Sequence, residues 1–309
     1  MKDYKFNVEE VTKSCIQWIK DWFEENGKDC NAILGISGGK DSTIAAALLV
    51  EALGKDRVIG VMMPNGIQKD ISDSIRVCDL LGIKRYTINI EDTVNSMLNK
   101  MKMCGIKISE QTRTNLPARI RMSTLYAVSQ SNNGRVVNTC NHSENYVSWE
   151  TKFGDAAGDL SPLGYLTVRE VLAIGDYLGL PSDLVHKTPI DGLNTNADGS
   201  YVTDEQGLGF TYDELDDYLL DDIKPSAEKL ERIKAYVTRG DIRNAFLSMC
   251  RGGVNHIDQV DYAFFTKLFY FMSKAFSTQN MPQPLILDSH MKFVHCALLL
   301  DEYHNGHLL

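Results

Sequence analysis

The chain has 309 residues, 43% of them hydrophobic and 24% charged, and a net charge of −9. That balance supplies a large core in one domain, or in one domain with a sizeable appendage. It argues against a nucleic-acid binder held mainly by phosphate contacts, because no basic stripe interleaved with aromatics offsets the acidity. Seven cysteines without a C-x-x-C pair exclude a disulfide framework and a zinc ribbon, and point to a reducing cytoplasm.

The first element is an amphipathic helix from about Val8 to Asn26, with Val11, Cys15, Trp18, Ile19 and Trp22 on its apolar face, and nothing before it resembles the apolar core of a signal peptide. Ile33, Leu34 and Ile36 then form a buried strand that runs into Ser37-Gly38-Gly39-Lys40-Asp41-Ser42, and a helix of high intrinsic propensity follows over Thr43–Leu53. Arg57–Met63 reads as a second strand, Lys69–Leu81 as a helix stopped at Gly82, and Lys84–Ile90 as a third strand. Helices over Glu91–Met103 and Asn115–Asn132 come next, then an Asn133-Gly134 turn and a fourth strand over Arg135–Cys140. Strands separated by helices predict an α/β fold: a doubly wound, Rossmann-like parallel sheet with flanking helices, whose ligands lie at the carboxyl ends of the strands. Ser37, Asn65 and Thr139 each follow or close a strand, so three strand ends are expected to share one site.

The turn between the first strand and its helix is a phosphate cradle. Two glycines let the backbone approach a ligand closely, and the helix points its free N–H groups and positive dipole end above the turn. A Walker loop does not fit, because Asp41 follows Lys40 and Leu34 stands where its first glycine belongs; the dinucleotide pattern G-x-G-x-x-G cannot be read through Gly35, Gly38 and Gly39 either. The bland alternative is a glycine-rich turn with no ligand. Asp41 fits that alternative poorly, since a carboxylate beside a phosphate is repulsive unless a metal such as magnesium lies between them.

What remains resembles the Ser-Gly-Gly-x-Asp-Ser signature of the ATP pyrophosphatase (PP-loop) superfamily, whose members cleave ATP between the α and β phosphates to activate a substrate as its adenylate. Further blocks are Asn138–Asn145, Thr151–Gly164 and the stretch Asp204–Leu219, in order and with matching spacing. With them the chain resembles the ammonia-dependent NAD synthetase family from roughly Cys30 to Leu220. The resemblance implies ATP-dependent amidation of deamido-NAD to NAD, with ammonia as nitrogen donor. It places ATP on Gly35, Ile36, Ser37, Gly38, Gly39, Lys40, Asp41 and Ser42, with Gln68 and Thr139 at the nucleotide; Mg2+ on Asp41 and Glu144; and deamido-NAD on Arg119, Lys152 and Asp159. Asp41, Lys152 and Asp155 are the implied catalytic residues, Asp155 at the ammonia site. A homodimer follows by analogy, with the helices near Val8–Asn26 and Asn115–Asn132 at its interface.

Several family contacts are missing. Val168-Arg169 stands where relatives carry an ATP-contacting lysine, Ile190 where many carry threonine, and Met62-Met63-Pro64 lacks an arginine. The C-terminal His-Lys pair has no counterpart nearer than Ser289-His290-Met291-Lys292. A related ligase amidating another adenylated carboxylate therefore stays open, as does a nucleotide-binding protein without synthetase activity. A tRNA-modifying relative fits less well, given the acidic balance, and a glutamine-dependent synthetase would need far more chain before Ala32.

The expected organisation is a synthetase domain over residues 1–223 and a mostly helical extension over 224–309, packed on the same domain or at a dimer interface. In that extension Tyr262–Phe276 reads as a buried helix rather than a membrane span, being interrupted by Lys267 and Lys274. His142 reads equally well as a backbone-bonded loop histidine or a catalytic one, His304 and His307 as solvated, and the acidic run Asp213–Asp222 as a solvated helix face. The partners implied are small molecules, with no nucleic acid and no membrane.

Overall fold

In the computed structural model, residues 6–195 and 201–239 are described. They belong to the first of two compact units, Met1–Asn244, and the second, Ala245–Leu309, lies outside the described residues. So do Tyr262–Phe276, the Ser289–Lys292 segment, His304 and His307, and the side chain of Ile190 is not described.

In chain order the elements are α1 (Val8–Asn26), β1 (Asn31–Gly35), α2 (Lys40–Leu53), β2 (Val58–Met62), α3 (Ile71–Leu81), β3 (Lys84–Thr87), α4 (Glu91–Met103), α5 (Glu110–Ser131), β4 (Gly134–Val137), α6 (His142–Tyr146), α7 (Val168–Tyr177), α8 (Ser182–Val185), β5 (Ile190–Thr195), β6 (Tyr201–Thr203), α9 (Asp204–Leu208), α10 (Tyr212–Asp221) and α11 (Ala227–Arg239). Four strands make a parallel sheet of order β3-β2-β1-β4, and β5 and β6 form a separate antiparallel pair. The doubly wound sheet expected from the alternating pattern is present.

Helices cover both faces of the sheet, because successive strand residues point to opposite sides and both sides are apolar. On one face Leu34, Ile44, Leu48 and Ile174 pack with Ile19 and Phe23 of α1; on the other Ile33, Ile59 and Val61 meet Val94 and Leu98 of α4 and Ile120 and Leu125 of α5. The stripe of α1 is rotated from the expected one: Ile19 and Phe23 are buried, whereas Trp18 is 44% exposed.

Other boundaries moved for local reasons. The helix expected from Asn115 starts at Glu110, because Ser109 caps it by accepting from the Thr112 amide at 3.1 Å, and Pro117 lies inside it. The fourth strand stops at Val137 rather than Cys140, since Asn138 turns away to bond its own neighbours: its Oδ1 accepts from Cys140 N at 2.9 Å. α11 packs on the elements before it through buried Ile233 and Val237, a Lys229–Glu214 ion pair of 2.5 Å, and a hydrogen bond from the Tyr236 hydroxyl to the Gly207 carbonyl at 3.1 Å.

Candidate active site

The order β3-β2-β1-β4 puts the reversal of winding between β1 and β4, the position where open parallel sheets form their ligand crevice above the strand ends. Two turns line it: residues 36–39, which lead into α2, and residues 138–141, which lead into α6.

The first turn is built from its own polar groups. The Ser37 hydroxyl accepts from Gly39 N at 3.2 Å, Ser42 Oγ accepts from Ser37 N at 3.3 Å, and the Thr43 hydroxyl donates to the Gly39 carbonyl at 2.8 Å. Gly38 sits at φ +79°, and a Cβ there would lie 2.9 Å from the Ser74 backbone nitrogen, so only glycine fits. Its neighbour across this contact, Asp73, shares the Lys187 ammonium with Asp70 at 2.6 and 2.7 Å, and Gln68 Nε2 donates to Asp70 at 3.0 Å. Gln68 thus stands beside the first turn through the end of α3.

The second turn ends with Asn141, which caps α6 in a reciprocal box: its Oδ1 accepts from Glu144 N at 3.0 Å, and Glu144 Oε2 accepts from Asn141 N at 3.2 Å. The same Asn141 reaches across the crevice and donates to Asp41 Oδ1 at 3.0 Å. Asn141 thus brings Asp41 and Glu144, far apart in sequence, to one place. Thr139 belongs to the second turn and is half-buried.

Between the two carboxylates lies the ammonium of Lys40, 2.6 Å from Asp41 Oδ2 and 3.8 Å from Glu144 Oε1, on a side chain only 4% exposed. The Tyr212 ring faces it at 5.5 Å, and the Tyr212 hydroxyl points to Asp204 at 3.5 Å. Burial opposes the charge of Lys40, but Asp41, Glu144 and Asp204 outweigh it and raise its pKa. Burial, with the nearby Asp41 charge, pushes Glu144 up to about 8 against the pull of Lys40. Burial and the same three carboxylates hold the Tyr212 phenol well above its usual range.

Asp41 and Glu144 offer oxygen donors only and are tied to the same Asn141 side chain, the hard donor set that magnesium takes, so they fit magnesium. Among the described residues no group of three His, Cys, Asp or Glu side chains gathers to hold a metal alone. A magnesium ion that keeps water and phosphate ligands requires no more than one or two carboxylates.

Arg119, Lys152 and Asp155 gather on a second wall, where the 151–155 loop rests on α5. Arg119 Nε donates to the Lys152 carbonyl at 3.2 Å, and the Arg121 guanidinium, which donates to the Met63 carbonyl at 3.0 Å, lies close enough to draw on Asp155 electrostatically. The surrounding protein raises the Asp155 carboxyl above its ordinary value, against hydrogen bonds from Thr151. Asn138 suspends this loop from β4, donating to the Asp155 carbonyl at 2.6 Å while its Oδ1 accepts from the Ser161 hydroxyl at 2.9 Å. Asp159 lies along the outer side of β4: one oxygen accepts from Val136 N at 2.7 Å and the other from the Tyr126 hydroxyl at 3.3 Å.

One expectation changes, and one open position is placed. Asp216, in the run read as a solvated face, is fully buried; it accepts from the Ser143 hydroxyl at 2.5 Å and from Arg169 N at 2.7 Å, and burial raises its carboxyl to about 6. Arg169 pairs with Asp217 and Asp221 of α10, and Val168 is buried, so neither faces the crevice at the position of the absent lysine. Residues passed over in the sequence reading include Asn138, Asn141, Asp204 and Tyr212. The spacing Asn141-x-x-Glu144 is a capping box readable from sequence, whereas the bond from Asn141 to Asp41 depends on strand order.

A Ser-Gly-Gly-x-Asp-Ser turn at the switch point of a parallel sheet defines a PP-loop nucleotide-binding α/β protein. Residues 11–244 match the NAD synthase family, and the chain belongs to it. It is 38% identical over 224 residues to the NH(3)-dependent NAD(+) synthetase of Thermococcus sibiricus, covering 72% of this chain and 85% of that one. Among solved structures, an NMN synthetase from Francisella tularensis superposes with a TM-score of 0.70 at 33% identity, over 78% of this chain and 97% of that one. An NAD+ synthetase from Burkholderia pseudomallei gives 0.62 at 28%, over 78% and 91%. Residues 211–304 also match a family described as putative 8-oxoguanine DNA glycosylase OGG-like protein, a minority of the chain that lies mostly outside the described residues. Among the described residues no helix is long and apolar enough to cross a membrane.

Proposed function

We propose that this chain is a ligase that amidates deamido-NAD to NAD with ammonia, at the expense of ATP cleaved to AMP and pyrophosphate. The observation that carries the reading is the meeting of the Ser37–Ser42 turn and the Asn138–Glu144 block across one crevice, joined by the Asn141–Asp41 hydrogen bond of 3.0 Å, in a chain of this family. Residues 35–42 and the first amides of α2 bind the ATP phosphates, and Gln68 and Thr139 border the nucleotide. Asp41 and Glu144 would hold Mg2+, which supplies charge neutralisation and orients phosphate oxygens when bound. Arg119, Lys152 and Asp159 bind the dinucleotide, the lysine offsetting negative charge beside the forming adenylate.

The chemistry has two displacements. An oxygen of the nicotinate carboxylate attacks the α-phosphorus, the bond to the bridging oxygen breaks, and pyrophosphate leaves. Ammonia then attacks the acyl carbon of the adenylate, and AMP leaves with the carbonyl–oxygen bond pair. Asp155 accepts the proton that ammonium must lose first, from the loop that rests on Arg119. No side chain acts as a covalent nucleophile; positioning and electrostatics lower the barriers. The reading carries with it a cytoplasmic homodimer acting on small molecules rather than nucleic acid.

The superposition on an NMN synthetase, at a higher TM-score than the NAD+ synthetase gives, favours a second reading in which the mononucleotide carboxylate is amidated by the same steps. One assay separates them. With ATP, Mg2+ and ammonium, pyrophosphate and NAD should appear together when deamido-NAD is supplied, and far more slowly with nicotinate mononucleotide. The reverse preference establishes the second reading, and pyrophosphate release without either amide refutes both.

A further inference from the structure

We propose that Lys40 is a tethered cation that closes the Asp41–Glu144 pair to divalent metal in the empty enzyme, and that arriving ATP draws its ammonium away and opens the pair. The inference rests on the reading that these two carboxylates hold the metal, and adds the order in which the site is filled.

Lys40 is the variable position inside the Ser-Gly-Gly-x-Asp-Ser turn, and its backbone stands at the start of α2, where ATP phosphates are expected. Its side chain does not extend toward that mouth. It folds back, 4% exposed, so that Nζ lies 2.6 Å from Asp41 and 3.8 Å from Glu144, with the Tyr212 ring at 5.5 Å and Asp204 near enough to act on it. A metal ion bound by these carboxylates would sit at about 2.0–2.1 Å from their oxygens. The ammonium already occupies that space, and two cations so close in a buried site repel strongly. A lysine stem is long and flexible, so Nζ can leave without movement of the turn. The triphosphate provides the destination, since it brings several negative charges to the first turn of the helix that carries Lys40. Metal would therefore enter with or after the nucleotide, never ahead of it.

Mn2+ binding to the full-length chain without nucleotide, read by electron paramagnetic resonance, tests this without measuring turnover. Wild type and Lys40→Arg should bind Mn2+ weakly, whereas Lys40→Met and Lys40→Gln should bind it about tenfold more tightly or better. Equal affinity in wild type and the neutral variants overturns the proposal, as does tight binding by Lys40→Arg. Thermal unfolding of each variant shows that it is folded; Lys40→Gln keeps a hydrogen bond to Asp41 if Lys40→Met does not fold. Should neither fold, the 15N ammonium resonance of Lys40 in the wild type, assigned by its loss in Lys40→Arg, supplies the test. ATP added in the presence of EDTA should shift that resonance, and no shift overturns the proposal. Acceptor preference is read from amide products, so failure of either inference leaves the other standing.

Discussion

Glu144 shows how one burial decides two behaviours. A carboxyl raised to about 8 keeps its proton longer in the folded chain than in the unfolded one, so its contribution to stability is greatest below about 4.5 and declines as pH rises toward 8. Binding of a divalent cation needs the ionised form, so uptake of metal and ATP at pH 7 should release a proton. Calorimetry in buffers of different ionisation enthalpy reads that release, and a heat independent of buffer would mean that Glu144 is already charged. Asp155→Asn should slow amide formation while pyrophosphate release persists, because only the second displacement requires a proton acceptor there; equal loss of both steps would sink the assignment. Gly38→Ala should cost about 1–2 kcal/mol in chemical denaturation, since an L side chain at φ +79° is strained and its Cβ meets the Ser74 backbone, and ATP binding should weaken with it.

Among the elements, α6, α7 and α10 are held together by a single carboxylate. Asp216 of α10 accepts from Ser143 of α6 and from the first turn of α7, and the Ser143 hydroxyl in turn accepts from Val168 N at 3.1 Å. Glu144 and Tyr212, neighbours of Lys40, ride on two of these helices. Asp216→Ala should therefore lower stability by about 3 kcal/mol, leaving buried donors without an acceptor, while Asp216→Asn recovers much of it. Denaturation midpoints of the two variants check this, and a loss under 1 kcal/mol for the alanine would show the contact to be peripheral.

The strands and long helices were legible in the sequence because their signals are local: apolar runs, Gly82 at a helix end, and a periodic stripe over Glu91–Met103. So was the Ser37–Ser42 turn. The brace at Asp216 was hidden because it lies in an acidic run whose other members, Asp217 and Asp221, do pair with Arg169 on a more exposed face. A helix periodicity does not report that one carboxylate of six in the run faces a hydroxyl more than 70 residues away. Likewise, the placing of Lys40 between Asp41 and Glu144 depends on β4 lying beside β1.

For the whole molecule, the family match and the first compact unit both end at Asn244. A chain ended there should unfold in one cooperative thermal transition and retain ATP-dependent amide formation, and loss of both would show that the last residues complete the enzyme. The four-stranded sheet has a further property. At its β4 edge the Asp159 carboxylate accepts from Val136 N, Asp159 N donates to the Val136 carbonyl at 2.7 Å, and Leu160 bridges Val137. At the other edge, β3 presents the exposed cations Lys84 and Arg85. One margin is sealed by a side chain that imitates a neighbouring strand, and the other is guarded by charge, the two devices that keep open sheets from templating further strands. Copies of this chain are thereby steered away from fibrous, strand-to-strand growth, and any self-association that involves the sheet layer is left to the helices that clothe it.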